Sequence, residues 1–98
     1  MITESEAKVK IQFEIASYPQ PEGDKYIVLD ESTISRAWGW VFFYTSEMWH
    51  KTGELSYAVA GNAPFIVEKV TGNILITGTA EPVENYIKRY EATGSPNA

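Results

Sequence analysis

YAVAGNAPFIVEKVTGNILITGTA, residues Tyr57 to Ala80, is the stretch whose reading decides the fold. Two short runs rich in branched apolar side chains, Phe65-Ile66-Val67 and Ile74-Leu75-Ile76, stand on either side of a polar turn at Lys69–Asn73 that contains Gly72. That pattern predicts a β-hairpin, with strands over about 64–69 and 73–79. A loop ending in Gly61-Asn62-Ala63-Pro64 leads into it. The other elements are expected to pair with this hairpin or lie on it.

Working outward toward the N-terminus, Trp38-Gly39-Trp40-Val41-Phe42-Phe43-Tyr44-Thr45 is the most aromatic segment of the chain. In a strand, Trp38, Trp40, Phe42 and Tyr44 share one face, and Val41 and Phe43 the other. Both faces are apolar, so the segment reads as a central strand covered on at least part of both sides. Gly39 fits a bulge or a close backbone approach. Tyr26 to Leu29 is a further strand, interrupted or turned by Asp30-Glu31-Ser32, and strand character returns before Trp38. Tyr18 to Asp24, with two prolines and a glycine, is a loop. The connection Ser46–Asn62 carries Met48, Trp49, Leu55, Tyr57 and Val59, too many apolar residues for a free loop. It predicts a helical turn at about 47–51 and a second ordered segment at about 55–60.

The two ends read differently. At residues 3–16, Thr3 and Glu6 have the spacing of a capping box, and Glu4 and Glu6 suit a helix N-terminus. Against this, Val9, Ile11, Phe13 and Ile15 alternate with polar residues, which is the strand period. As a helix, Ile2, Val9, Phe13 and Ala16 share one face, with Ile11 and Ile15 nearly opposite. The cap decides for a helix; the strand is the competing reading. At the other end, Glu81-Pro82-Val83-Glu84 opens a helix with proline at its first position. Its buried stripe is Val83, Ile87 and Tyr90, bordered by Tyr86, and Gly94 and Pro96 end it.

The order helix, two strands, ordered loop, two strands, helix fits an α+β fold. The expected architecture is a four-stranded antiparallel sheet with the N- and C-terminal helices packed on one face. Ninety-eight residues correspond to one domain, 1–98, with 93–98 expected as a frayed tail.

Composition excludes several functions. No cysteine is present, which removes disulfides and thiolate chemistry, and a single histidine, His50, removes a histidine-rich metal site. The apolar runs are too short to span a bilayer, and MITESEAKVK is too acidic and polar for a signal peptide, so a cytoplasmic protein is expected. Thirteen acidic residues against eight basic ones leave a net charge of −5. That balance repels nucleic acid and would steer a basic protein partner, although it also serves solubility alone.

No catalytic pattern is present. Glu47 and His50 stand at i, i+3, but a metal site needs about three or more ligands, and the pair reads as solvated surface. Ser46 and Ser56 flank His50 without a nucleophile elbow. Gly61-Asn62 and Gly72-Asn73 are turn formers, not phosphate loops. No catalytic residue, metal or cofactor is expected. The aromatic residues exceed what a core of this size needs. Trp40 and Phe42 are assigned to the core, whereas Trp38 and Trp49 stay open between core and surface. With the acids Asp30, Glu31, Glu47 and Glu54, Trp38 and Trp49 make the candidate partner-binding set.

From about Tyr26 onward the chain resembles a bacterial family. The residues that carry the likeness are Trp38–Tyr44, Thr52-Gly53, Ser56–Pro64, Ile66-Val67, Thr71-Gly72 and Thr77–Ala80. They look like the immunity protein 35 family of polymorphic-toxin systems, to which a small bacterial heat-shock chaperone also belongs. The resemblance implies a small α+β protein, not an enzyme, that binds a cognate protein toxin and blocks it by occlusion. If the toxin is a nuclease, its basic groove would be drawn to the acids. The relative implies an alternative, a chaperone-like stress protein that binds unfolded clients. A homodimer through an uncovered aromatic face is a further possibility.

Overall fold

A computed structural model describes residues 1–59 and 61–98. Ala60, the last residue of the ordered segment expected at 55–60, lies outside the described residues. Helix α1 spans Glu4–Ala16, and strands β1 to β4 span Tyr26–Val28, Ile34–Arg36, Gly39–Phe42 and Tyr44–Ser46. Helix α2 covers Glu47–Thr52, strands β5 and β6 cover Phe65–Glu68 and Ile74–Ile76, and helix α3 covers Val83–Thr93. Single 3₁₀ turns lie at Asp30–Ser32 and Leu55–Tyr57.

The fold is α+β, as the sequence predicts. The hairpin forms from β5 and β6, with Phe65 opposite Ile76 and Val67 opposite Ile74. Gly72 turns it at φ +73°, a conformation open to glycine. The antiparallel four-stranded sheet runs β2-β3-β5-β6, while β1 and β4 form a separate two-stranded ribbon. The strand expected at Tyr26–Leu29 therefore exists, but Ile34–Arg36 holds the edge of the larger sheet. The aromatic strand divides at Phe43, whose carbonyl accepts from the Leu29 N–H at 2.8 Å. Val28 faces Tyr44 and Ile34 faces Val41, so six residue steps on one side meet three on the other. The 3₁₀ turn at Asp30–Ser32 absorbs the difference.

At the N-terminus the cap outweighs the alternation. The Thr3 hydroxyl accepts from the Glu6 N–H at 3.1 Å, and Glu6 accepts from the Thr3 N–H at 2.9 Å. Ala7, Ile11 and Ile15 pack with Trp40, Phe42, Tyr44, Phe65 and Val67. Val9 and Phe13 project from the opposite side and are exposed. The alternation is thus two i, i+4 pairs on opposite faces of a helix.

The expectation that both helices lie on one face of the sheet is corrected. Ile87 and Tyr90 of α3 pack with Val41 and Ile66, which point away from the α1 side. Successive strand residues face opposite ways, so Val41 turns from Trp40 and Phe42, and Ile66 from Phe65 and Val67. A one-face arrangement would leave Val41 and Ile66 in water, whereas both are fully buried. The central strands are apolar on both sides, and each side requires a cover.

Gly39 explains how β3 and β5 come so close. A Cβ at this position would lie 2.0 Å from the Val67 carbonyl oxygen. Helix α3 starts one residue later than expected, with Pro82 as its N-cap. Beyond it, Arg89 Nη1 donates to the Pro96 carbonyl at 3.2 Å, and Asn97 Nδ2 to the Ile76 carbonyl at 2.8 Å. These bonds tie the 93–98 segment back to α3 and β6.

Candidate partner-binding surface

The surface is built around α2, and α2 is held from below. Ser46 ends β4 fully buried. Its Oγ accepts from the Trp49 N–H at 3.1 Å, which caps the helix. The same hydroxyl donates to the carboxylate of Asp24. Asp24 also accepts from the N–H groups of Met48, at 3.1 Å, and Lys25, at 2.7 Å. Burial works to raise the pKa of Asp24, but the Ser46 hydroxyl and the Lys25, Met48 and Glu47 N–H groups outweigh it and hold it below the usual carboxylate range. Gly53, left-handed at φ 67°, closes the helix with its N–H on the Trp49 carbonyl at 2.9 Å. A six-residue helix too short to be stable alone is fixed at both ends.

Five of the six candidate residues belong to this region. Asp30 pairs with Lys8 of α1 at 2.8 Å, and Glu31 meets His50 Nε2 at 3.5 Å. The second contact joins the 3₁₀ turn to α2. Glu47 reaches Lys25 at 3.8 Å and Lys51 at 3.7 Å. Trp49 is half-buried on α2. Glu54 is exposed just past Gly53 and makes no ion pair among the described residues. Two of the four acids, Asp30 and Glu47, are therefore matched by lysines, from α1, the residue before β1, and α2, while Glu31 meets only the imidazole of His50. Exposed pairs of this kind contribute little stability, but they lower the local field.

Trp38 is not brought to the others. It packs against the Val41, Ile66 and Ile87 cluster on the α3 side of the larger sheet. Trp38 instead lies against Tyr90 with ring centroids 4.6 Å apart, and its Nε1 donates to Glu91 at 3.0 Å. It helps to seat α3. Trp40 and Phe42 are core residues, as expected, at 4% and 1% exposure. No group of three or more potential metal ligands occurs among the described residues. No helix among them is long and apolar enough to cross a membrane.

One feature escapes the sequence reading. Asp24 sits in a Pro/Gly loop that looks featureless, and nothing local points to its role 22 residues downstream. The outer stripe of α1 was visible in the Val9–Phe13 spacing. It lines a groove of about 250 Å³ with Gln12 and Ala16. Beside it, Lys8, Gln12, Ile15 and the β1 residues Tyr26–Val28 line a groove of about 340 Å³.

The chain is 43% identical over 53 residues to the uncharacterized protein YrhB of Escherichia coli K12, across 54% of this chain and 56% of that protein. The match thus spans about half the length of that relative. No solved structure matches the chain. The sequence profile of Immunity protein 35 matches residues 5–92, from the first turn of α1 to the last turn of α3, and the chain belongs to that family.

Proposed function

We propose that this protein is a toxin-neutralising immunity protein that binds one cognate toxin and blocks it by occlusion. The observation that carries this reading is membership of the Immunity protein 35 family over nearly the whole chain. The geometry supports a preformed contact face made of the 3₁₀ turn and α2, with Asp30, Glu31, Glu47, Trp49 and Glu54. Trp49 is the anchor: a half-buried indole on a helix pinned at both ends can be covered with little loss of side-chain freedom. The ion pairs surrounding it form a polar rim. Trp38 is assigned to holding α3 and not to this face.

The acids act mainly at long range. With Asp30 and Glu47 paired to lysines, steering toward a basic toxin comes from the net charge of −5 and from exposed Glu31 and Glu54. A nuclease toxin, with a basic substrate groove, has the matching charge. The test is to express the toxin encoded beside this gene with and without the protein, in the cytoplasm. Survival only in its presence is the expected result, and equal killing in both cases would remove the proposal.

The chaperone-like alternative calls for contiguous exposed apolar surface. Large exposed apolar side chains are Met1, Val9, Phe13, Leu55, Val70 and Ile76, and of these Val9 and Phe13 line a groove together. Suppressed aggregation of several unrelated unfolded proteins would favour it over dedicated toxin binding.

A further inference from the structure

A strand at the edge of a sheet carries backbone groups that no neighbouring strand bonds. Strand β1 is such a strand, with β4 as its one partner in the ribbon. The Lys25 carbonyl accepts from the Glu47 N–H, and the Leu29 N–H donates to the Phe43 carbonyl. Alternation then turns the N–H and C=O groups of Tyr26 and Val28 away from β4. The Tyr26 N–H donates to Gln20 Oε1 at 2.9 Å. The Tyr26 C=O and both groups of Val28 have no partner among the described residues. These groups border the groove of about 340 Å³ between β1 and α1. Tyr26, Ile27 and Val28 all line it, which points to the strand's edge, because their side chains alternate between faces. Lys8, Gln12 and Ile15, at i, i+4 and i+7, form the helical wall. A lysine stands at each end: Lys8, bonded to Asp30 just past Val28, and Lys25, just before Tyr26. Among the described residues, no carboxylate lines the groove.

We propose that this groove binds an extended, acidic peptide segment of a partner protein, which adds to β1 as a third strand of the ribbon. The strand edge supplies main-chain bonds and the helix flank supplies side-chain contacts, the division of labour in strand addition. Val28 exchanges two backbone bonds with the incoming segment, and the Tyr26 C=O accepts a third. Gln20 already fills the fourth place, its side-chain amide oxygen standing where the segment's backbone carbonyl would. The lysines select for acid. Lys8 and Lys25 each meet a carboxylate outside the groove, Asp30 at 2.8 Å and Glu47 at 3.8 Å. An ammonium has three donors, so each can hold a second carboxylate. The wall from Lys8 to Ile15 is roughly 10 Å long at the helical rise, about three to four residues of strand. Carboxylates about four residues apart therefore reach both lysines. With so short a contact, Kd is on the order of 100 µM. The groove adjoins the α2 face at Asp30 and Glu47, but the proposal does not rest on toxin binding.

The probe is acetyl-Glu-Val-Thr-Val-Glu-amide, titrated into the full chain and followed by NMR. The Val28 amide is expected to shift, and to exchange about tenfold more slowly at saturation. N-methylation of both valines keeps the charge, removes the backbone donors and abolishes binding. In an antiparallel addition the C-terminal glutamate faces Lys25. Replacing that glutamate with lysine weakens binding about tenfold at low salt, and Lys25→Glu, at an exposed position, restores it. A probe that leaves Val28 unperturbed overturns the proposal. So does an N-methylated probe that binds as well as its parent, which would mean attraction by charge alone. A Val28 amide already protected without peptide would show that the edge is covered, and a charge exchange that recovers nothing would remove the pairing with Lys25; either overturns the proposal. None of these outcomes bears on toxin neutralisation, which is tested separately.

Discussion

Tyr90 donates its phenolic hydrogen to Glu68 Oε2 across 2.7 Å, fastening α3 to β5. Thr71 Oγ1 donates to the other oxygen of the same carboxylate at 2.8 Å. The Tyr90 phenol first, then the Thr71 hydroxyl, hold Glu68 below the usual carboxylate range against the opposing effect of burial. On the other side, burial first and then Glu68 push Tyr90 up to about 12. Both shifts describe one charge-assisted bond, in which phenol and carboxylate keep their neutral and ionised forms.

Tyr90→Phe is therefore expected to destabilise the fold by about 1–2 kcal/mol at neutral pH, measured by urea unfolding. The sign of the pH dependence follows from the two directions. Glu68 is depressed, so its share of the stability is present above the unfolded carboxylate pKa and is lost as pH falls through the folded value. Tyr90 is raised, so its share is present below the unfolded phenol pKa and is lost as pH climbs toward about 12. The gap between wild type and Tyr90→Phe should close at both extremes. A gap that stays constant from acid to alkaline pH would mean that the bond does not form.

Gly39→Ala tests the closeness of β3 and β5. The added Cβ would lie 2.0 Å from the Val67 carbonyl oxygen, between the two inner strands of the larger sheet at the end of their pairing. Backbone cannot yield as a flexible side-chain tip can, so a loss of about 3 kcal/mol is expected in chemical denaturation. Gly23→Ala is the control, since a Cβ there meets nothing within 4 Å and only its left-handed φ is strained. Equal losses at the two sites would place the cost in backbone conformation and not in the strand contact.

These two sites show what was legible beforehand. The hairpin, the aromatic central strand and the close approach at Gly39 follow from local pattern, because strand period and glycine geometry are local properties. That strand is apolar on both sides, which already requires two covers, and the one-face placement of α1 and α3 overlooked the consequence. Which stripe of α1 turns inward was not legible, since Ile11–Ile15 and Val9–Phe13 are equally good apolar pairs and only the sheet chooses between them. In the candidate surface, the acids were visible but most of their partners were not. Lys8 and Asp30 are far apart in sequence, as are Glu31 and His50, and such pairings are set by the fold alone.

Asp24 and Ser46 make a third case. Ser46→Ala removes the α2 cap and leaves the Asp24 carboxylate short of a donor, for an expected loss of about 1–2 kcal/mol. Asp24→Asn keeps the shape and removes the charge. Because the Asp24 pKa is lowered in the folded protein, its contribution is present above the unfolded carboxylate pKa and disappears as pH falls through the folded value. Amide exchange of Met48 and Trp49 should quicken in both variants near neutral pH, with α3 amides unchanged. Acidification should bring the wild type toward Asp24→Asn. Exchange that is insensitive to both substitutions would show that α2 is held by other contacts.

The two half-buried tryptophans separate the proposed contact face from the scaffold. Trp49 belongs to the face and Trp38 seats α3 through Tyr90 and Glu91. Trp49→Ala should therefore weaken the toxin complex by about 2 kcal/mol, roughly thirtyfold in Kd, with little change in the unfolding midpoint. Trp38→Phe keeps the ring contact but loses the indole N–H, so it should lower stability by about 1 kcal/mol and leave Kd within about twofold. Glu54→Lys should slow association at low salt and leave dissociation nearly unchanged, because an exposed charge acts on approach more than on contact. Calorimetry for the tryptophan variants and stopped-flow mixing for Glu54→Lys give the readouts. Toxin affinity that falls with Trp38→Phe but not with Trp49→Ala would move the binding face from α2 to the α3 side of the sheet.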